Sequence, residues 1–353
     1  MSAPVPVSDP GRILIIKPSA IGDVVHTLPF LNLLRRRYPK AHIAWLVTPA
    51  CAGLIDGHPQ LDEVILFDRR QYGLAWRHPL AALNFVGFLR RLRRERFDLV
   101  IDLQGLFRSA FFAFETRAPV RVGFSNAREF APAFYTHRVP VHTMEQHAIE
   151  RYLAVAEAID CGRSPVEFHF PTKDEDRARV RELLTANRDP HVANGYAVLL
   201  PGTNWPTKRW PAGHFAALVP ILRERFHLPT IVAGSPSEVE LCSQIPAELD
   251  LTGKTTLRQL VALLEGAALV IANDSGPMHI AAALGRPLVT LFGPTNPTRT
   301  GPYDRPETVL RLDIPCSPCY SRRCSHQSCL QWLTPEHVLT HVRQQLPRNP
   351  LIP

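Results

Sequence analysis

The chain has 353 residues, of which 45% are hydrophobic and 20% charged, and its formal net charge is +8 at pH 7. This length exceeds what one hydrophobic core usually supports, so we expect two domains. A mean hydropathy of −0.06 and the lack of any apolar run of about eighteen residues indicate a soluble globular protein, without a membrane-spanning helix.

The first part of the chain alternates strands and helices, a pattern typical of a parallel sheet. The first eleven residues carry no basic or apolar signal region, so we interpret them as a lead-in to the first strand and expect no secretion signal. Strands are predicted over 12–17, 41–47, 63–67 and 98–103, and helices over 22–37 and 79–96. The second of these helices is predicted to present a broad apolar face formed by Leu80, Leu83, Phe85, Phe88, Leu89 and Leu92.

The same pattern begins again near Tyr196. Strands are predicted over 197–200, 229–233, 249–251, 269–272 and 288–292, and helices over 211–225, 237–244 and 256–265. Residues 161–194 are polar, charged and contain three prolines, which is typical of a linker. We therefore predict an N-terminal domain over 1–165, a linker region over 166–194 and a C-terminal domain with a cysteine-rich tail over 195–353.

The stretch from Leu269 to Thr295 carries the strongest local signal. A buried strand breaks at Asn273-Asp274-Ser275-Gly276 into an alanine-rich helix. The first turn of that helix would leave backbone N–H groups unpaired at the positive end of the helix dipole, which favours a phosphate or diphosphate. The same strand–turn–helix pattern also occurs as plain topology in α/β proteins, so the pattern alone leaves both interpretations open.

A second motif, RILIIKPSAIGDVVHTLP at 12–29, precedes that stretch by about 250 residues. In this order, the two motifs resemble those of the glycosyltransferase family 9 enzymes, the ADP-heptose:lipopolysaccharide heptosyltransferases, and the similarity covers nearly the whole chain. The resemblance implies a GT-B fold, with two Rossmann-like α/β domains whose parallel sheets face a central cleft. It also implies an inverting, metal-independent transfer of heptose without a cofactor, from ADP-L-glycero-D-manno-heptose to the inner core of lipopolysaccharide.

Asp23 is the leading catalytic candidate. It follows Gly22 directly after a buried strand, which places it at the sheet edge where α/β folds bind ligands. The resemblance makes Asp23 the general base for the acceptor hydroxyl, with Lys17 helping to keep it ionised. Aspartate also favours helix starts, so a capping role remains the alternative. Lys17, Ser19 and Gly22 are the expected acceptor contacts of this loop.

The loop over residues 201–211 resembles the donor loop of the family, where a threonine or serine and a lysine contact the ADP phosphates. Thr203 and Lys208 are the matching residues, and Arg209 is a further candidate. The alternative is a surface loop in which two tryptophans simply pack. The other expected donor-binding residues are Glu238, Asp274, Ser275, Gly276 and His279.

Several of those donor-binding candidates have alternative roles. Glu238 either contacts the ribose or caps a helix. Asp274 is expected to orient the loop or hold sugar hydroxyls rather than to ligate a metal. His279 either contacts a phosphate or packs in the core.

Basic residues are concentrated in the first domain, with 16 basic and 8 acidic residues from Arg35 to Arg128. They form either a solvated surface or a contact for an anionic partner. No recognised nucleic-acid module accompanies them, so we do not expect nucleic acid. A lipopolysaccharide acceptor of the Kdo-lipid A type, at the cytoplasmic face of the inner membrane, fits better. The candidate acceptor-binding arginines are Arg69, Arg70, Arg108 and Arg121.

Four cysteines lie within fourteen residues of the tail, at Cys316, Cys319, Cys324 and Cys329. Together with His326 they are possible zinc ligands, although the spacing matches no standard zinc module closely. Unliganded or redox-labile thiols are the alternative, and we predict no metal site. Two other functions stay open: a family member with a different sugar donor or acceptor, and a non-catalytic sugar-nucleotide-binding protein.

Overall fold

The computed structural model describes residue 5 and residues 9–73, 78–141, 143, 145–186 and 195–346. The chain divides into two compact units, Met1–Pro171 and Thr172–Pro353. The division lies inside the range 166–194 that the sequence predicts as a linker. Residues 187–194 of that range lie outside the described residues, as do residues 1–4 and 6–8 of the lead-in.

The first unit contains a six-stranded parallel sheet in the order β3-β2-β1-β4-β5-β6. Its strands are β1 Arg12–Ile16, β2 His42–Val47, β3 Glu63–Leu66, β4 Leu99–Asp102, β5 Val120–Phe124 and β6 His137–Val139. The central strand β1 is apolar and fully buried from Ile13 to Ile16, because helices cover both faces of a parallel sheet. The strand order reverses between β1 and β4, which defines the switch point of this sheet.

The helices of the first unit are α1 Ile21–Arg37, α2 Pro49–Ala52, α3 Arg69–Tyr72, α4 Pro79–Arg94, α5 Phe107–Glu115 and α6 Ala148–Ala158. Helix α1 packs against α6, and α4 packs between α3 and α5.

The apolar face predicted for α4 is only partly right. Phe88 and Leu92 are buried in the core, whereas Leu80 is 70% exposed and Leu83 is 68% exposed. At 100° per residue, Leu83 lies about 160° and Leu80 about 100° around the helix from the midpoint between Phe88 and Leu92, so Leu83 is on the opposite side and Leu80 is at the flank of the buried face.

The second unit repeats this topology with a parallel sheet in the order β12-β11-β10-β7-β8-β9. Its strands are β7 Ala197–Leu200, β8 Thr230–Val232, β9 Leu249–Asp250, β10 Leu269–Asn273, β11 Leu288–Phe292 and β12 Val309–Arg311. Strands β7 and β10 flank the switch point, as β1 and β4 do in the first unit. Both sheets follow the Rossmann order, so the α/β class with two Rossmann-like domains is confirmed.

The helices of the second unit are α7 Asp174–Thr185, α8 Ala212–Phe226, α9 Val239–Cys242, α10 Leu257–Glu265, α11 Gly276–Ala283, α12 Pro297–Thr300, α13 Ser328–Gln331 and α14 Pro335–Gln345. Helix α7 lies within the range predicted as a linker and packs against α10. Its sequence, DEDRARVRELLT, is so polar that only Val180 provides a buried apolar contact, and this hides the helical period.

Candidate active site

The first candidate site surrounds Asp23 at the switch point of the first sheet. Asp23 occupies the third position of α1, and its Oδ2 accepts a hydrogen bond from the backbone N–H of Ala20 at 3.0 Å. Its other oxygen, Oδ1, lies 3.4 Å from Lys17 Nζ and accepts a 3.4 Å hydrogen bond from the hydroxyl of Tyr152. The Asp23 side chain remains 38% exposed, so a substrate can reach it.

Lys17 connects the ends of the two strands that flank this switch point, β1 and β4. It follows β1, is buried, and donates a 3.1 Å hydrogen bond to the carbonyl of Leu103, which follows β4. Burial alone would lower the pKa of Lys17, but the Asp23 carboxylate and Tyr152 outweigh it, and the pKa is raised above 10.5. Lys17 is therefore a fixed cation beside Asp23.

Tyr152 is a component of this site that sequence analysis missed. It belongs to α6, is buried, and its ring centroid lies 5.2 Å from Lys17 Nζ. A buried tyrosine in an amphipathic helix carries no local signal that distinguishes it from a core residue. Only the packing of α6 on α1 brings its hydroxyl to Asp23.

The predicted acceptor residues are only partly brought together. Ser19 is half-buried in the loop between β1 and α1, and Gly22, the second residue of α1, is buried. Arg69 and Arg70 begin α3, and Arg108 lies in the first turn of α5, so all three lie at the carboxyl edge of the sheet, like Asp23.

Arg121 does not share that position. It is the second residue of β5, at the amino edge of the sheet, and its guanidinium donates to the carbonyls of Phe134 and Ala118 at 2.9 and 2.5 Å. Sequence analysis predicts that Arg121 lies near the end of an element, but it does not determine whether that is the amino or the carboxyl end of the strand. Arg121 is therefore excluded from the candidate site.

The second candidate site lies at the switch point of the second sheet and is built around an ion pair. Lys208 follows β7, Asp274 follows β10, and Lys208 Nζ lies 2.6 Å from Asp274 Oδ2. The same oxygen accepts a 2.6 Å hydrogen bond from the hydroxyl of Thr295, which follows β11. Both partners are largely buried, and Thr295 was not predicted because it carries no signal beyond its place after a strand.

The buried amide of Asn273 holds the strand ends of this site in register. Its Nδ2 donates to the carbonyl of Pro201 at 2.8 Å, and its Oδ1 accepts from the N–H of Trp210 at 3.1 Å. Trp210 is itself fully buried and donates through Nε1 to the carbonyl of Leu333. The packing role that the sequence left open for the two loop tryptophans therefore holds for Trp210.

Trp205 has a different environment. Lys208 Nζ lies 4.8 Å from the centroid of its ring, and the guanidinium of Arg322 lies 4.5 Å from the same centroid. Arg322 comes from the cysteine-rich tail and was not predicted. Two cations therefore lie over one aromatic ring at the edge of the loop.

The remaining residues of the donor loop are engaged with one another. The hydroxyl of Thr203 donates to the carbonyl of Trp205 at 2.7 Å, and Arg209 donates to the carbonyl of Thr203 at 3.0 Å. These contacts shape the loop that carries Lys208.

Glu238 has the capping role that was its alternative. Its Oε2 accepts from the N–H and the hydroxyl of Ser235, at 2.7 and 2.8 Å. The same carboxylate lies so close to Gly202 that a Cβ there would meet Glu238 Oε1 at 1.9 Å. A glycine at 202 is thus required for the loops after β7 and β8 to approach each other.

Helix α11 begins at this site as the sequence predicts. Ser275 precedes it with an extended backbone, and Gly276 is its first residue. The Ser275 hydroxyl is buried and has no hydrogen-bond partner within the described part of the chain. His279 is buried one turn further on. The half-buried start of α11 therefore lies beside the Lys208–Asp274 pair.

The four tail cysteines are all free thiols, with Cys316 and Cys319 exposed and Cys329 buried. Burial, and to a lesser extent the other three thiols, raises the pKa of Cys329. Within the described residues, no three His, Cys, Asp or Glu side chains are grouped so that they could hold a metal ion.

Two Rossmann-like units, each with charged residues at its switch point, are the architecture of the GT-B glycosyltransferases, and solved heptosyltransferases share it with this chain. The model of glycosyltransferase family 9 (heptosyltransferase) matches residues 86–330, and the chain belongs to this family. It is 33% identical to lipopolysaccharide heptosyltransferase 1 of Pseudomonas aeruginosa, covering 95% of this chain and 98% of that protein. It is 31% identical to lipopolysaccharide heptosyltransferase 1 of Escherichia coli, covering 85% of this chain and 93% of that protein.

Solved structures agree with this assignment. E. coli heptosyltransferase WaaC with ADP aligns with a TM-score of 0.75 and 28% identity, over 95% of this chain and 99% of that one. E. coli ADP-heptose lps heptosyltransferase II aligns with a TM-score of 0.73 and 25% identity, over 95% of this chain and 98% of that one. None of the helices in the described part of this chain is long and apolar enough to cross a membrane.

Proposed function

We propose that this chain transfers heptose from ADP-L-glycero-D-manno-heptose to the inner core of lipopolysaccharide, with inversion and without a metal ion. The observation that carries the proposal is the pair of charged sites at equivalent switch points. One offers an accessible carboxylate, Asp23, and the other offers Lys208 beside the start of a helix. Acceptor activation and diphosphate stabilisation require these two kinds of group.

Asp23 acts in this proposal as the general base. Its Oδ1 takes the proton of the acceptor hydroxyl, whose oxygen attacks the anomeric carbon while the bond to the diphosphate breaks. Lys17 balances the charge of Asp23 from the buried side and leaves the exposed side to the acceptor. Asp23 Oδ2 stays bonded to Ala20, which fixes the direction of the carboxylate.

The second unit receives the donor. Asp274 pairs with Lys208 and holds the lysine charge in place where the diphosphate is proposed to bind. Thr203, Glu238, Ser275, Gly276 and His279 complete the proposed donor site. As the bond to the sugar breaks, ADP gains negative charge, and Lys208 together with the first turn of α11 stabilises it.

The acceptor is a phosphorylated, carboxylated lipid of the Kdo-lipid A type, presented at the cytoplasmic face of the inner membrane. Lys17, Ser19, Gly22, Arg69, Arg70 and Arg108 are its proposed contacts. Arginine suits this acceptor because its planar guanidinium binds phosphates and carboxylates through two parallel hydrogen bonds. The protein is accordingly proposed to act in the cytoplasm, in peripheral contact with the membrane.

A transfer assay tests the proposal directly. The purified protein is incubated with ADP-heptose and a series of defined, truncated core acceptors, and products are identified by mass spectrometry. We expect a single heptose to be added to an acceptor that ends in Kdo. Transfer from a different nucleotide sugar would reassign the donor within the family, and binding of ADP-heptose without transfer to any acceptor would indicate a non-catalytic protein.

A further inference from the structure

Among the described residues of the first unit, most of the large exposed apolar side chains lie at one edge of the sheet, whereas Val86 lies in the middle of α4 and Phe114 at the end of α5. We define the edge surface by five of them: Leu66, Leu80, Leu83, Phe107 and Phe130, exposed by 48, 70, 68, 49 and 88%. Exposed apolar side chains of this size are normally scattered singly, whereas a shared location marks an interaction site.

Topology places these five residues at a single edge of the sheet. Leu66 ends β3, and Leu80 and Leu83 lie at the start of α4. Phe107 begins α5, and Phe130 follows the end of β5. In parallel βαβ units, strands end and the following helices begin at the same edge. Asp23, which follows β1, lies at that edge too.

A packed cluster of aromatic side chains lies beneath the edge surface. The ring centroids of Phe85 and Tyr72 lie 5.7 Å apart, and those of Phe88 and Phe112 lie 5.5 Å apart. These rings join α3, α4 and α5 on one side of the sheet. The exposed leucines of α4 therefore project from a helix that is already anchored, and their exposure is not explained by a missing core.

The edge surface is also basic. Arg69, Arg70, Arg108 and Arg128 lie in its segments, against two carboxylates, Asp68 and Glu129. Both carboxylates are occupied with backbone N–H groups, Asp68 with those of α3 and Glu129 with that of Phe107. Four arginines against two carboxylates leave these segments with a net positive charge.

We infer that the edge surface docks on an anionic lipid bilayer. Apolar side chains set between arginines, on several separate segments, suit the soft boundary between lipid headgroups and acyl chains. A protein partner would instead require a central, well-packed apolar core with charges at its rim. Anionic headgroups complement the excess of arginines. This inference rests on the proposed function in one respect, because docking at this edge brings Asp23 to a lipid-borne acceptor.

Vesicle flotation tests the inference. The full-length protein is mixed with vesicles of phosphatidylglycerol and phosphatidylethanolamine, or with vesicles of phosphatidylcholine alone. We expect binding to the anionic vesicles that weakens as NaCl is added, since salt screens the arginine–headgroup attraction. The triple variant Leu80→Ser/Leu83→Ser/Phe130→Ser should bind at least about tenfold more weakly, because it removes apolar contacts that lie outside the proposed catalytic and binding residues.

A matched control removes exposed apolar side chains from the second unit. Val239 and Trp332 are 50% and 63% exposed, so Val239→Ser/Trp332→Ser should bind vesicles like the wild type. Equal loss of binding in both variants would overturn the inference, as would a wild type that does not bind anionic vesicles. Self-association of the wild type that the triple variant loses would also overturn it, by assigning the surface to a second copy of the chain.

Kinetics separate this inference from the proposed function. With a water-soluble acceptor oligosaccharide, the triple variant should keep wild-type kcat and KM, whereas its KM should rise for the same acceptor carried in vesicles. Loss of turnover on the soluble acceptor would overturn the docking role. A wild type that binds vesicles but transfers heptose to no acceptor would overturn the proposed function and leave the docking surface intact.

Discussion

The two oxygens of Asp23 have different partners, so a capping role and the proposed role as base do not exclude each other. Oδ2 accepts the N–H of Ala20 as a helix-capping carboxylate does, while Oδ1 lies 3.4 Å from Lys17 Nζ and 3.4 Å from the hydroxyl of Tyr152. Capping therefore does not compete with the proposed proton transfer. The capping hydrogen bond restricts the rotation of the carboxylate, and this restriction favours the proposed proton transfer.

Asp23→Asn tests the base without removing the cap, because the amide oxygen can still accept the Ala20 N–H. Turnover should fall by roughly 10²–10⁴, the usual value of general-base assistance, while ADP affinity measured by calorimetry should stay the same. Asp176 provides a matched control, since it caps α7 from the same position by accepting the N–H of Lys173 at 3.1 Å. Turnover of Asp23→Asn above about a tenth of wild type would assign the base to another residue.

Lys208→Ala tests the donor site. Because Lys208 is held 2.6 Å from Asp274 in a largely buried site, its removal leaves a buried carboxylate where the diphosphate is proposed to bind. We expect ADP affinity and kcat to fall together, since the charge of ADP grows in the transition state. Lys254→Ala is the control, because Lys254 is exposed and its side chain donates to the backbone carbonyl of Asp250. Unchanged ADP affinity and unchanged turnover in Lys208→Ala would place this lysine outside the site.

At the scale of elements, the cysteine-rich tail contacts the loops of the proposed donor site. Its backbone and side chains bond to the loop after β11, where Ser317 donates to the carbonyl of Gly293 and the N–H of Tyr320 donates to the carbonyl of Pro294. The hydroxyl of Thr207 donates a 2.8 Å hydrogen bond to the carbonyl of Ser321 in this tail. The segment thus joins the loops that carry Lys208 and Thr295.

Arg322→Ala measures what this support contributes. The guanidinium of Arg322 lies over the same ring as Lys208 Nζ, so its removal takes one cation from the neighbourhood of the proposed diphosphate site. ADP affinity should fall by about three- to tenfold, in the range expected for one exposed cation–π contact and its charge. Arg323→Ala, in the adjacent exposed position, should bind ADP like the wild type. Equal effects of the two substitutions would indicate a general loss of charge.

For the whole molecule, the proposed mechanism predicts insensitivity to chelation. Lys208 and the first turn of α11 are proposed to stabilise the leaving ADP, a role for which other transferases use a divalent cation. Turnover after dialysis against EDTA should equal that of the untreated protein. Recovery of lost turnover by Mg²⁺ or Mn²⁺ would make Asp274 a metal ligand. Recovery by Zn²⁺ alone, after unfolding, would make the tail cysteines a structural metal site.

Local patterns in the sequence were sufficient to predict much of this architecture. Apolar runs such as RILII and LVIAN predict buried strands, and polar turns at their carboxyl ends predict the places of Lys17, Asp23 and Asp274. The tandem repetition of strand and helix predicts two α/β domains, because each signal is confined to a window of a few residues, and the family resemblance implies that these domains are Rossmann-like. The polar helix α7 escaped detection, since its few buried residues leave almost no apolar period.

Other features depend on contacts between residues far apart in the chain, for which a single sequence carries no signal. Tyr152 reaches Asp23 only because α6 packs on α1, and Arg322 meets Trp205 only because the tail folds back on the donor loop. The exposure of Leu80 and Leu83 likewise follows from which side of α4 the sheet covers, and hydrophobicity alone cannot specify that side. Residue type and spacing predict chemical groups and element ends, whereas burial and long-range pairing are properties of the packed chain alone.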